Sequence, residues 1–81
     1  MDVLDAAVRV LREEASPLHW TVIQDLALKR GYLDPFVQTD IRQQLQRALL
    51  AGVRRGEIVR VSAGVYELPP SKGRTSEPQR R

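Results

Sequence analysis

The apolar spacing of this chain changes character at Val53: before it hydrophobic residues recur every three or four positions, and after it they alternate. The first period is that of helices buried along one face, the second that of strands. Any fold must therefore set a helical block ahead of a hairpin within 81 residues. That length holds a single domain with one core. Apolar residues make up 42% of the chain, enough to fold. A domain this small buries only about 60% of its unfolded surface, so its stability should be modest.

Residues 2–14 place Val3, Leu4, Ala7, Val8 and Leu11 at helical spacing, with Asp2 and Asp5 at the end that the helix dipole favours for anions. Ser16-Pro17 stops this first helix, because proline restricts its predecessor and cannot donate to the ladder. Leu18-His19-Trp20 is long enough only for a small strand joining a later sheet. Thr21 then reads as an N-cap, with Gln24 as its capping-box partner and Trp20 as a hydrophobic staple. The second helix carries an inner stripe of Val22, Ile23, Leu26 and Ala27, and ends with Lys29, Arg30 and a Gly31 C-cap.

Residues 32–38 contain Asp34-Pro35 and read as a connection. A third helix begins at Thr39 or Asp40, the latter with Gln43 at capping-box spacing, and runs to about Ala51 before Gly52. Its inner stripe is Ile41, Leu45, Ala48 and Leu49, while Arg42, Gln43, Gln46 and Arg47 lie opposite, with Leu50 at the margin. Ile58, Val59 and Val61, then Val65, Tyr66 and Leu68, flank Ser62-Ala63-Gly64 and predict an antiparallel hairpin. An isolated hairpin is marginal in water, so this one must pack on the helices, with residues 18–20 as a candidate third strand. The expected fold is α+β: a winged helix-turn-helix of three short helices and a C-terminal hairpin wing over residues 1–69. Residues 70–81 have no apolar anchor and read as a disordered basic tail or linker.

Thirteen Lys/Arg against ten Asp/Glu give a net charge of +3, but the charge is segregated. Residues 1–41 hold 4 basic and 7 acidic side chains, and residues 42–81 hold 9 and 3. Part of that excess lies in the tail (Lys72, Arg74, Arg80 and Arg81 against Glu77), but residues 42–68 still hold five Arg against two Glu, an asymmetry that points to a charged binding face on the third helix and hairpin. With no Cys and one His, the chain lacks a disulfide framework, a thiol nucleophile and a zinc ligand set. No nucleophile, base and acid fall into a catalytic arrangement, so neither enzyme activity nor a cofactor is expected. No apolar run approaches the roughly 20 residues of a bilayer span. His19 reads as positional, and Trp20, Phe36 and Tyr66 as packing residues.

Residues 6–31 (AAVRVLREEASPLHWTVIQDLALKRG), 39–49 (TDIRQQLQRAL) and 64–68 (GVYEL) resemble the HARE-HTH family, with coverage from residue 2 to about 69. Shared features are the Ala-Ala run, Pro17-Leu18-His19-Trp20 before the second helix, Ala27 with Gly31, and Gly64 with Tyr66-Leu68. Asp40 stands where the family often has proline, placing a negative charge beside the start of helix three. The resemblance implies a module of chromatin proteins, restriction and repair enzymes or a bacterial RNA-polymerase subunit, binding DNA or reporting on its structure or modification. It implies a cytoplasmic or nucleoid setting in a bacterium and a nuclear one in a eukaryote.

On this reading helix three, about 39–51, enters the major groove, and the wing, about 54–68, follows the phosphates. Arg42 and Arg47 can donate to phosphate or guanine, and Gln43 and Gln46 can pair with adenine. Arg54, Arg55 and Arg60 suit phosphate, with Lys29 and Arg30 as flanking contacts. The expected partner is double-stranded DNA, modified or structurally altered forms included, bound by a monomer or weak dimer without a membrane. The alternative is a protein-interaction winged helix anchored by Leu33, Phe36 and Val37, or by Leu50 and Val53.

Overall fold

The computed structural model describes residues 2–70; of the tail expected over residues 70–81, all but the first residue lies outside them. The elements are α1 (Val3–Glu14), β1 (Leu18–His19), α2 (Trp20–Lys29), α3 (Ile41–Arg54), β2 (Val59–Ser62) and β3 (Val65–Glu67). β3 lies between β1 and β2 in an antiparallel sheet, pairing Leu18 with Tyr66 on one side and Arg60 with Tyr66 on the other. Three helices carrying this sheet form the α+β winged helix-turn-helix that the change of period predicts.

The core joins Val3, Leu4, Ala6, Ala7, Val10 and Leu11 of α1 to Ile23 and Ala27 of α2, Leu45 and Leu49 of α3, and Leu33 and Ile58 from the connections. The α1 stripe centres on Ala7, leaving Val8 half-buried, whereas Ala6 and Val10 are fully buried. In α2 the buried ridge runs through Ile23 and Ala27, four residues apart, and turns Val22 outward against expectation.

Both expected side-chain caps are replaced. Trp20, not Val22, opens α2, because its N–H is held by the Gly64 carbonyl at 2.9 Å beside the β1–β3 pairing. The cap is therefore His19, whose Nδ1 accepts the Thr21 N–H at 3.3 Å; Thr21 Oγ1 lies 2.8 Å from the same nitrogen. A backbone amide can only donate, so Nδ1 is the acceptor and the ring proton sits on Nε2. Asp40 precedes α3 in the left-handed region (φ 52) and its carboxylate caps nothing. An N-cap side chain reaches the helix amides from an extended backbone, which Asp40 lacks. Gln44 instead donates Nε2–H to the Thr39 carbonyl at 2.7 Å.

α3 also runs through Gly52 to Arg54 rather than stopping at Ala51. Gly52 is buried against Leu4 of α1 and Ile58, and a Cβ there would lie 2.7 Å from Ile58 Cδ1. Close packing, not helix termination, explains this glycine. The stop comes at Gly56, where the Gly56 and Glu57 amides bond back to the Val53 and Gly52 carbonyls at 3.1 and 2.8 Å.

A polar cluster ties the end of α1 to the end of α2. Glu13 accepts from the Tyr32 hydroxyl at 2.5 Å, Arg30 Nη1 at 2.7 Å and Arg9 Nε at 3.4 Å, while Arg30 Nη2 reaches Glu14 at 2.5 Å. The Tyr32 hydroxyl, then Arg30 and Arg9, hold the Glu13 carboxyl below its ordinary value; the same bond raises the Tyr32 phenol. Glu13 thus contributes stability that is complete above the ordinary glutamate value of about 4.3 and is lost as pH falls through its lowered one. Tyr32 contributes stability that is complete below about pH 10 and is lost as pH climbs through its raised value. Tyr32→Phe should shrink both effects, which melting curves from pH 3 to 11 would register as a smaller fall in midpoint at each extreme than in the unaltered protein.

Candidate nucleic-acid interface

A helix turns about 100° per residue, so Gln43, Arg47, Leu50 and Arg54 share an arc of about 60° opposite the buried Leu45–Leu49 side of α3. Gln46 lies beside this arc, and Arg42 farther round toward α2; all six are exposed. The Arg42 guanidinium rests 5.4 Å from the Trp20 ring centroid, a cation–π contact worth about 0.5–1 kcal/mol at an exposed site. The first helical residue of α2 thereby fixes the direction of a cation on α3.

Two open depressions succeed one another along α3. Asp40, Arg42, Gln43 and Gln46 line the first, of about 330 Å³; Arg47, Leu50, Ala51, Arg54 and Arg55 line the second, of about 350 Å³. The first offers donors beside one carboxylate, the second brings three arginines together with two apolar residues. On β2, Arg60 is exposed opposite Tyr66, just ahead of an irregularity in the ladder at Val61. Among the described residues none of Arg42, Arg47, Arg54, Arg55 and Arg60 makes an ion pair.

Lys29 and Arg30 stand apart. Lys29 is 3.1 Å from Asp25 on its own helix, and Arg30 is turned onto Glu13 and Glu14 of α1. The fold thus gathers Arg42, Gln43, Gln46, Arg47, Arg54 and Arg55 along α3 and its end, adds Arg60 on the wing, and commits Arg30 to structure.

Other expectations change as well. Leu33 is in the core, and Val53 is half-buried against it, so neither is an exposed anchor. Phe36, read as a packing residue, is 96% exposed because Asp34 builds a tight turn under it: the Phe36 amide donates to Asp34 Oδ1 at 2.9 Å. Trp20 is half-buried and serves Arg42 as well as the fold. Leu50 lies on the outer face between Gln46 and Gln43, not at its margin, a placement that follows from the 100° step alone, and the longer helix sets Arg54 beside it.

The sequence model of the HARE-HTH family, an ASXL and restriction endonuclease HTH domain, matches residues 1–69, a span that includes all six elements. The chain belongs to the HARE-HTH family. No curated protein and no solved structure matches it significantly. HARE-HTH is a family of DNA-binding winged helix-turn-helix domains, not a catalytic one. In this HARE-HTH domain no group of three or more His, Cys, Asp or Glu among the described residues is placed to hold a metal ion. No described helix is long and apolar enough to cross a membrane.

Proposed function

We propose that this domain binds double-stranded DNA without catalysing a reaction, with α3 in the major groove and the β2–β3 wing along the phosphate backbone. The observation that carries this reading is the row of arginines on α3, its end and the wing that have no carboxylate partner among the described residues, interleaved with Gln43 and Gln46. Guanidinium groups supply the phosphate neutralisation that dominates affinity, and the glutamine amides supply donor and acceptor pairs for base edges. One monomer offers few phosphate contacts, so affinity should be modest and strongly dependent on salt. Transcription, chromatin, repair and restriction assemblies are the settings that fit such a module.

Trp20 is the sole tryptophan and touches Arg42, so its emission should change as a duplex engages α3. Titration of unmodified, methylated and mismatched duplexes, followed by that emission and by an independent labelled-DNA readout, should show binding that weakens as salt rises. The same titration with residues 1–70 separates the folded surface from the basic residues beyond it. Absence of binding to every duplex at low salt would overturn the proposal.

A protein-interaction role is the second reading, favoured by Phe36 at 96% and Val37 at 76% exposure on the loop before α3. This loop carries Asp34 and Asp40 and no cation, a poor surface for phosphate. Phe36→Ser with Val37→Ser should leave duplex affinity unchanged if the loop serves a protein; a marked loss of DNA binding would place the loop in the DNA contact instead.

A further inference from the structure

We propose that Leu50 reads a base by apolar contact, its partner being the 5-methyl group of a pyrimidine in the major groove. The inference rests on the DNA-binding reading above and specifies which chemistry one side chain of that surface recognises. Leu45 and Leu49 are wholly buried, whereas Leu50 is 52% exposed among Gln43, Gln46, Arg47 and Arg54. Leucine serves the helix by its propensity, and its position among four groups suited to phosphate or base edges is what gives it a second use. Leu50 and Ala51 line, together with Arg47, Arg54 and Arg55, a depression of roughly 350 Å³.

The chemistry of the major groove narrows what such an apolar side chain can meet. Base edges there display hydrogen-bonding groups except at one place, the C5 methyl of thymine, which is matched by apolar side chains. Cytosine presents the same group only when methylated at C5. Arg47 and Arg54 lie one turn before and one turn after Leu50, positioned to take phosphate oxygens or guanine edges on either side. Guanidinium groups on both sides and an apolar side chain between them suit a methyl-bearing base flanked by polar or anionic groups.

The test starts from duplexes selected from a random-sequence pool by the full-length protein. Each thymine of the selected site is replaced in turn by deoxyuridine, and each cytosine by 5-methylcytosine. Affinities are measured for the unaltered protein, Leu50→Ala and Leu50→Gln. Closing a hydrophobic pocket on one methylene is worth roughly 10-fold or more, so a half-open site should give about 3- to 10-fold. If thymine is the source, uracil at one position weakens the unaltered protein by that factor and leaves both Leu50 variants unchanged. If 5-methylcytosine is the source, methylation at one position strengthens the unaltered protein by that factor, again with no effect in the variants. Leu50 is half-exposed and glutamine keeps its length and helix propensity, so melting curves should show both variants folded. Salt-dependent binding that ignores every methyl group, or equal methyl sensitivity in Leu50→Ala, overturns this assignment alone. Failure to bind any duplex overturns the DNA-binding reading with it.

Discussion

Replacing Arg42, Arg47 and Arg60 together by glutamine should lower duplex affinity by about two orders of magnitude at low salt and flatten its salt dependence. Each arginine is exposed and has no carboxylate partner among the described residues, so neutralising a phosphate requires no existing ion pair to break. The logarithm of affinity changes by about 0.9 per phosphate contact for each logarithmic unit of salt, so three lost contacts should remove a slope of about 2 to 3. At roughly 1 kcal/mol for each contact the combined loss is the stated factor. Only Arg42 gives up a contact within the protein, its stacking on Trp20, so the fold should survive. Arg30→Gln is the control: it takes from Glu14 its ion pair and from Glu13 one of three donors, and should act on stability, leaving the salt slope intact. A triple variant that binds with unchanged affinity and slope would remove α3 and the wing from the interface.

Gly52→Val should cost about 3 kcal/mol of stability, a large share for a domain of this size. Helix propensity alone predicts the opposite sign, since glycine is the poorer helix former by up to about 1 kcal/mol. Packing decides it. A Cβ at position 52 would already lie 2.7 Å from Ile58 Cδ1 and 3.1 Å from both Ile58 Cγ1 and Leu4 Cδ1. Ile58 and Leu4 are themselves buried, and the two further methyls of valine would have to separate α1 from α3. For a chain of this length the melting midpoint should fall by about 12–24 °C. Alanine should fall between, its propensity gain opposed by movement of the Ile58 tip, and Ile58→Val should relieve part of the alanine effect. A midpoint that stays level or rises with valine would contradict the close approach of α1 and α3 at Gly52.

The features legible in the chain are those set by neighbours a few residues away. The three-four stripe of Leu45 and Leu49, the stop at Ser16-Pro17 and the strand formers on either side of Ser62-Ala63-Gly64 each carry their instruction locally, and the structure follows them. β2 is nonetheless exposed along its whole length, Val59 and Val61 included. Where distant segments compete, local rules misdirect. Thr21 and Gln24 satisfy the capping-box spacing, yet the Gly64 carbonyl, more than forty residues away, seizes the Trp20 amide and moves the cap to His19. Gly52 resembles a helix stop until Leu4 and Ile58 arrive beside it. Within the candidate interface the arginines of α3 and β2 could be named from charge segregation alone. The commitment of Arg30 could not, because it depends on two helix ends meeting at Glu13 and Glu14. Leu50 already lay inside the expected helix; what ending it at Ala51 hid was Arg54, the neighbour one turn beyond.

One tryptophan stands between the two arms of the proposed interface. Trp20 receives the wing turn through the Gly64 carbonyl at 2.9 Å and supports Arg42 on α3 through its ring. Gly64 (φ +75) fits so tightly there that a Cβ would fall 2.8 Å from His19 Nε2 and 3.3 Å from Trp20 Cδ1. Wing turn and helix thus share one residue as a common support, the turn through the Trp20 amide and Arg42 through its ring. Under the DNA-binding reading, a side chain added at Gly64 would displace the ring on which Arg42 rests, so a change in the wing turn would be felt on the face of α3.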